Sequence, residues 1–147
     1  PKVIEYNCRF GDPETQPIIM RLKSDLVAHC LAALDGTLNN EVAEWDVRPS
    51  VGVVIAAGGY PATYAKGEVI HGLGDAKIDG AKIFHAGTAL LNGQVVTSGG
   101  RVLCATALGN SVAEAQQTAY QLAKTVNFKD AYVRTDIGWR AIAREKQ

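Results

Sequence analysis

Glu5, Asn7, Arg9, Asp12 and Glu14 follow one another closely near the start of the chain, and no other stretch is as dense in groups that can do chemistry. Val3 to Asn7 alternates apolar and polar residues, which predicts a short half-buried strand. Side chains two apart on a strand share a face, so Glu5 and Asn7 project together beside Val3, with Ile4 and Tyr6 on the other side. A carboxylate and a carboxamide oxygen side by side suit a hard cation such as Mg2+, which prefers oxygen ligands and takes few of them from protein. Arg9 continues the alternation, and a guanidinium there can hold a phosphate or carboxylate through two parallel hydrogen bonds. The same residues also read as an ordinary strand-to-helix connection. Gly11-Asp12-Pro13 is a turn signal, and Asp12 is able to cap a following helix that has Pro13 at its first position and Glu14 in its first turn. Spacing alone leaves both readings open.

Other candidates are more isolated. Arg101 follows Gly99-Gly100, a context in which its guanidinium could approach a phosphate, an interdomain carboxylate, or simply a surface partner. Gly58-Gly59 fits neither a dinucleotide-binding nor a P-loop pattern and reads as a tight turn needing positive φ. Arg134, Asp136 and Arg140 suggest an ion-pair cluster locking the C-terminal end rather than a catalytic site.

The elements that must position these groups alternate irregularly. Glu14 to Leu34 has helical apolar spacing, and Ser24-Asp25 offers a second helix start within it. Gly36 is a C-cap candidate. Residues 37–49 are polar and read as a connection with room for a short helical turn, with Trp45 and Pro49 packing at a boundary near Arg48. Val51 to Ala57 is a continuous β-prone run fit for a strand covered on both faces. Residues 64–80 form a loop with one short strand around Glu68 to Ile70. Lys82 to Thr88 is expected to pair with Gln94 to Thr97 across Asn92-Gly93, and Arg101 to Ala107 is a further strand. Ser111 and Glu114 make a capping box for a helix whose apolar stripe runs from Val112 to Val126. Phe128 to Val133 reads as an edge strand, and residues 141–147 as a tail that is helical if anything. Strands and helices mixed without a βαβ repeat imply an α+β fold, divided into residues 1–48 and 49–147.

Composition narrows the function. Lys+Arg and Asp+Glu number 15 each, which argues against nucleic acid or an anionic membrane as partner. Hydrophobic residues at 47% and charged residues at 20% are ordinary for a folded domain. Cys8, Cys30 and Cys104 are too few and too scattered for a disulfide framework or a zinc site. They read as buried free thiols of a protein in a reducing cytoplasm. No apolar run approaches the ~18 residues of a membrane span.

Glu5-Tyr6-Asn7-Cys8-Arg9 resembles the metal-binding strand of ATP-grasp ligases. The longer run Arg9-Phe10-Gly11-Asp12-Pro13-Glu14-Thr15-Gln16 resembles the signature of one branch, the phosphoribosylamine–glycine ligase (glycinamide ribonucleotide synthetase) family. Ala56-Ala57-Gly58-Gly59-Tyr60-Pro61, Phe84-His85-Ala86-Gly87-Thr88, Gly99-Gly100-Arg101-Val102-Leu103 and the stretch from Tyr132 to Arg140 are similar to that family as well. The resemblance implies that residues 1–48 end an ATP-grasp domain and residues 49–147 form a small mixed β-sheet domain with a packed helix. It implies an ATP-dependent ligase of de novo purine biosynthesis, joining glycine to 5-phosphoribosylamine through a glycyl phosphate. Glu5 and Asn7 would ligate Mg2+ or Mn2+, Arg9 would act on the acyl phosphate as the catalytic group, and Asp12, Glu14 and Arg101 would bind substrate. In that family the metal strand lies late in the chain. The present sequence, which begins with Pro1, would then be a C-terminal portion, inactive alone and partnered by the N-terminal part of the same enzyme. One departure is Ala89, where the family commonly carries a lysine after Gly-Thr, which puts in doubt any role that depended on that charge. Two other readings stand beside this one. One is a non-catalytic module that binds a ligand or partner; the other is a piece of another ATP-grasp carboxylate–amine ligase.

Overall fold

The β-prone runs from Val51 and from Arg101 find each other in the computed structural model, which describes residues 2–4, 9–74 and 77–146. β1 (Ser50–Ala56), β2 (Ala81–His85) and β5 (Arg101–Leu108) form an antiparallel sheet in the order β1-β5-β2. β5 takes the centre because Val102 to Ala107 is apolar or small on both faces, and every one of these residues is buried. On one face Val51, Val53 and Ile55 stand opposite Ala107, Ala105 and Leu103. Helix α3 (Val112–Ala123) lies over that face through Ala115, Ala119, Leu122 and Ala123, the stripe its spacing predicts. Burying side chains of the size of Val53, Ile55 and Leu103 contributes about 1.5–3 kcal/mol each. The other face carries Gly52, Val54, Cys104 and Thr106, and α1 (Thr15–Arg21) packs there. A Cβ at Gly52 would stand 3.0 Å from Pro17 Cγ, so the missing side chain is what lets α1 approach. The strand is thus covered on both faces.

The turn from β5 into α3 is fixed by the capping box. Ser111 Oγ accepts from the Glu114 amide at 3.1 Å, and Glu114 reaches back to the Asn110 amide at 2.9 Å. Asn92 and Gly93 adopt φ of 50° and 78° and close a hairpin, as the dipeptide predicts. Its strands are β3 (Thr88–Leu91) and β4 (Gln94–Thr97), however, while the expected partner, residues 81–85, pairs with β5. The reason is a backbone crossing at Gly87. Its amide donates to the Arg101 carbonyl at 2.8 Å, and a Cβ there would lie 2.7 Å from Gly99 Cα. Two glycine backbones in contact split the run into two strands of different sheets. Residues 67–70 run beside β4 without forming a named strand: Gly67 donates to Thr97, and Ile70 to Val95. Residues 128–133 likewise make one bridge, Tyr132 to Ala56, because Asp130 turns the chain at φ 57°.

The stretch expected to be one or two helices is two. Asp25 caps α2 (Leu26–Leu34) by accepting from the Val27 amide at 2.8 Å. Gly36 ends it at φ +69°, with the Thr37 amide bonded to the Ala32 carbonyl at 2.8 Å in the pattern of a Schellman cap. A 3-10 turn covers Leu38–Asn40. Trp45 bridges to Leu22 and, with Pro49, lines a cavity against Pro17, Ile18 and Arg21.

Several expectations need correction. Lys2 to Ile4 form no strand, and Val3 and Ile4 are exposed; no strand among the described residues pairs with them. Cys30 is exposed, on an α2 face that no described element covers. Cys104 is buried, and loss of hydration pushes its thiol pKa up. Cys8 lies outside the described residues. At the C-terminal end Arg134 and Asp136 do pair, with Arg134 Nη2 2.6 Å from Asp136 Oδ2. Arg140 stands apart because α4 (Trp139–Glu145) begins beside it and stacks its guanidinium over the Trp139 ring at 5.3 Å. The terminus is held instead by Tyr120 Oη, which donates to the Arg134 carbonyl at 2.6 Å, and by Glu145, which accepts from the Val112 amide at 2.8 Å.

Candidate functional site

Glu5 and Asn7, the expected metal ligands, lie outside the described residues. Their neighbours downstream are placed. Arg9 is exposed at a bend, its guanidinium donating to the Phe10 carbonyl at 3.2 Å. Asp12 does not cap α1, contrary to the sequence expectation. The helix begins later, at Thr15, whose hydroxyl and amide both donate to the Gly11 carbonyl at 2.6 and 3.0 Å. Glu14 folds back over Gly11, where any Cβ would overlap its carboxylate.

Freed from capping, Asp12 turns toward the sheet. Arg101 Nη2 lies 2.9 Å from Asp12 Oδ2, and Arg101 Nη1 donates to the Asp12 carbonyl at 3.4 Å. Two of the sequence-predicted site residues thus meet across 89 positions of chain. Arg9 bonds locally to Phe10 and does not join them.

One contributor was missed. Tyr60 lies beneath Arg101, with the guanidinium carbon 6.0 Å from the ring centroid. The ring can sit there because residue 100 is glycine; a Cβ would overlap Tyr60 and come within 3.0 Å of Tyr64 Cε1. Tyr60 and Tyr64 pack at 6.1 Å between centroids. The available signal was the pair of glycines immediately before an arginine, which leaves room for an aromatic platform. Nearby, His85 Nδ1 and Thr88 Oγ1 share a hydrogen bond of 3.0 Å across the Gly87 crossing.

The Asp12–Arg101 pair is partly exposed, and pairs of this kind contribute at most about 1 kcal/mol to stability. Its effect is therefore geometric: it fixes where the loop stands relative to β5. A second cluster, within the N-terminal segment just before β1, centres on Asp46. Arg48 clamps its carboxylate through Nη2–Oδ2 at 2.7 Å and Nε–Oδ1 at 3.0 Å, while Arg21 Nε donates to its carbonyl at 3.2 Å. Those Arg48 hydrogen bonds hold the Asp46 carboxyl well below the usual carboxylate range. Gln16 Oε1 and Ser50 Oγ are shielded and have no hydrogen-bond partner among the described residues. Among those residues no group of three His, Cys, Asp or Glu side chains is arranged to hold a metal. Among the described residues no helix is long and apolar enough to cross a membrane.

Known proteins resemble this arrangement closely. A Phosphoribosylglycinamide synthetase, C domain, matches residues 50–140. A phosphoribosylamine–glycine ligase of Vibrio vulnificus (strain CMCP6) is 65% identical over 147 residues, spanning 100% of this chain and 34% of its own. One of Escherichia coli O157:H7 is 62% identical over 147 residues, spanning 99% of this chain and again 34% of its own. The crystal structure of a phosphoribosylamine–glycine ligase from Thermotoga maritima superposes with a TM-score of 0.68 at 36% identity, over 92% of this chain and 33% of that one. The chain thus spans about a third of the length of the curated relatives it matches. With the matched region covering the sheet, α3 and the start of α4, the chain belongs to the phosphoribosylglycinamide synthetase C-domain family.

Proposed function

We propose that this chain is the C-terminal part of an ATP-dependent ligase that joins glycine to 5-phosphoribosylamine in purine biosynthesis, in the cytoplasm. The observation that carries the reading is 65% identity along the whole chain to a protein named for that reaction. In the proposed reaction the γ-phosphoryl group of ATP passes to the glycine carboxylate, giving glycyl phosphate and ADP. The amine of phosphoribosylamine then attacks the acyl carbon, and the C–O bond to phosphate breaks as the C–N bond forms.

The residues divide this chemistry between them. Glu5 and Asn7 offer a carboxylate and a carboxamide oxygen, donors suited to Mg2+ or Mn2+. When bound, that ion would offset charge on the transferring phosphoryl group. Arg9, two residues beyond Asn7 in the sequence, would hold the acyl phosphate with parallel N–H donors. Asp12 and Glu14 would supply carboxylates for the amine substrates, and Arg101 holds Asp12 from the sheet. The 49–147 unit carries none of the metal ligands, and the other two-thirds of the enzyme is the partner that would complete the ATP pocket. Alone, this chain is inactive.

The test is ADP release by the full-length parent with Mg2+, ATP, glycine and freshly made phosphoribosylamine. Release that needs both glycine and the amine is expected, and release indifferent to glycine overturns the reading. Glu5→Ala in that parent should abolish turnover while leaving its unfolding temperature unchanged; near-normal turnover would remove the metal assignment. Glycine-dependent ADP formation by the pure 147-residue chain would show that it needs no partner.

A further inference from the structure

We infer that Arg101 is a positioning residue, one that sets the loop of Arg9 and Asp12 in register with the sheet rather than gripping substrate itself. This inference rests on the ligase reading for its effect on turnover, but not for its geometry.

The loop cannot hold itself in place. Phe10 is 46% exposed, and α1, which follows and packs on the sheet, has no buried residue. Within the loop the hydrogen bonds are short-range, from Thr15 back to Gly11 and from Arg9 to Phe10. Arg101 supplies a fixed point from outside, and it grips Asp12 twice, at the carboxylate and at the main-chain carbonyl. Two contacts from one planar fork set both the position and the rotation of the residue they hold, which a single point charge does not.

Arg101 is in turn over-determined. Its carbonyl accepts from the Gly87 amide at 2.8 Å. Gly87 and Gly99 touch backbone to backbone, which fixes the path of the chain into β5. Gly100, by having no side chain, admits the Tyr60 ring on which the guanidinium rests. Three glycines and a tyrosine therefore place one guanidinium, far more structure than an exposed ion pair needs for its small stability contribution. What such an arrangement provides is precision. Attack on an acyl phosphate needs the reacting atoms within about 3–3.5 Å, and a shift of about 1 Å can cost roughly 100-fold in rate. With its fork engaged by Asp12, Arg101 acts on the reaction through that residue.

The experiment uses the full-length parent and reads steady-state ADP release together with amide exchange of residues 9–15. Arg101→Ala is expected to lower kcat by about 100-fold with the KM for ATP unchanged, and to speed exchange across 9–15. Arg101→Lys restores the charge but not the fork, so it should recover part of kcat and part of the protection. Arg101→Ala combined with Asp12→Ala should be no worse than Asp12→Ala alone, because both remove one connection. Multiplying losses, or a parent-like kcat in Arg101→Ala, would overturn the inference. So would a raised KM for glycine or the amine with exchange unchanged, which would make Arg101 a substrate ligand. If Arg101→Ala does not fold, Tyr60→Leu removes the platform and keeps the charge, and the same two readouts decide. If the parent makes no glycine-dependent ADP, the ligase reading fails, while the exchange comparison still reports whether Arg101 orders the loop.

Discussion

The N-terminal segment and the sheet unit use similar apolar residues to opposite ends. In the sheet unit, Val53, Val102, Leu103, Ala105, Ala115 and Ala119 are fully buried. In residues 9–48 only Ala32 is buried, and Leu31, Leu34 and Val42 are exposed at 56%, 83% and 76%. α3 lays its stripe on a sheet; α2 meets the short 3-10 turn at Leu38–Asn40 and leaves Leu31 and Leu34 exposed. Helices as short as the nine residues of α2 are marginal in water without such packing. α2 is therefore defined by its caps at Asp25 and Gly36, whereas α3 is defined by its caps and its burial together.

The largest expected effect separates the two by packing. Leu103→Ala should cost about 2–5 kcal/mol of global stability through a cavity in the centre of the sheet. Leu34→Ala should change stability by no more than about 0.5 kcal/mol. Urea unfolding of the 147-residue chain, followed by near-ultraviolet circular dichroism, measures both. Equal costs would break the comparison.

Glycines give the next contrast. A Cβ at Gly109 would stand 2.9 Å from Ala115 Cα, between β5 and α3, so Gly109→Ala should cost about 1–3 kcal/mol by overpacking. Gly36 faces open space at φ +69°, so Gly36→Ala pays only the left-handed backbone cost of about 1–2 kcal/mol. The first should shift the global midpoint. The second should appear mainly as faster amide exchange in α2, since it acts on a segment outside the cooperative core.

Matched caps sharpen the point further, because the chemistry is the same. Ser111→Ala and Asp25→Ala each remove one side-chain acceptor, a loss of about 1 kcal/mol to the helix concerned. Ser111→Ala should lower the global midpoint. Asp25→Ala should leave it in place and accelerate exchange from Val27 to Cys30. A global shift from Asp25→Ala would mean that α2 unfolds together with the sheet.

What could be read from the sequence follows the same division between local and distant. The Asn92-Gly93 turn, the Ser111–Glu114 box, the break at Asp25 and the end at Gly36 depend on neighbours in the chain, and each is where its residues predict. The pairing of residues 81–85 with β5 depends on Gly87 meeting Gly99, a contact that no periodicity encodes. At the site, the density of acids and Arg9 near the N-terminus was legible, and so was the possibility that Arg101 meets a carboxylate. That the carboxylate is Asp12 was not, because a turn of Gly-Asp-Pro also fits a helix cap and only the three-dimensional path shows the competing partner. Tyr60 escaped for a related reason: its platform exists through the absence of a side chain at Gly100.

The smallest expected effect tests whether the junction belongs to either region. Arg48 hydrogen bonds depress the Asp46 carboxyl below its unfolded value of about 3.9, so its contribution is complete above that pH and is lost as acid drives the pH down through the folded value. Asp46 is half-buried outside the core, and the expected loss is local. The chain has two tryptophans, Trp45 beside this clamp and Trp139 at the far end, so Trp139→Phe isolates the emission of Trp45. In that background Trp45 emission should hold through the usual carboxylate range and change only at lower pH, as Asp46 titrates through its depressed folded value. Asp46→Asn should show the altered emission already at neutral pH and respond less to acid, with the global midpoint unmoved. If Asp46→Asn lowers the midpoint instead, the clamp is part of the sheet's cooperative unit, and the line between the regions must be drawn upstream of Trp45. An unmoved midpoint leaves it at the clamp, where Arg21 and Arg48 meet on one aspartate.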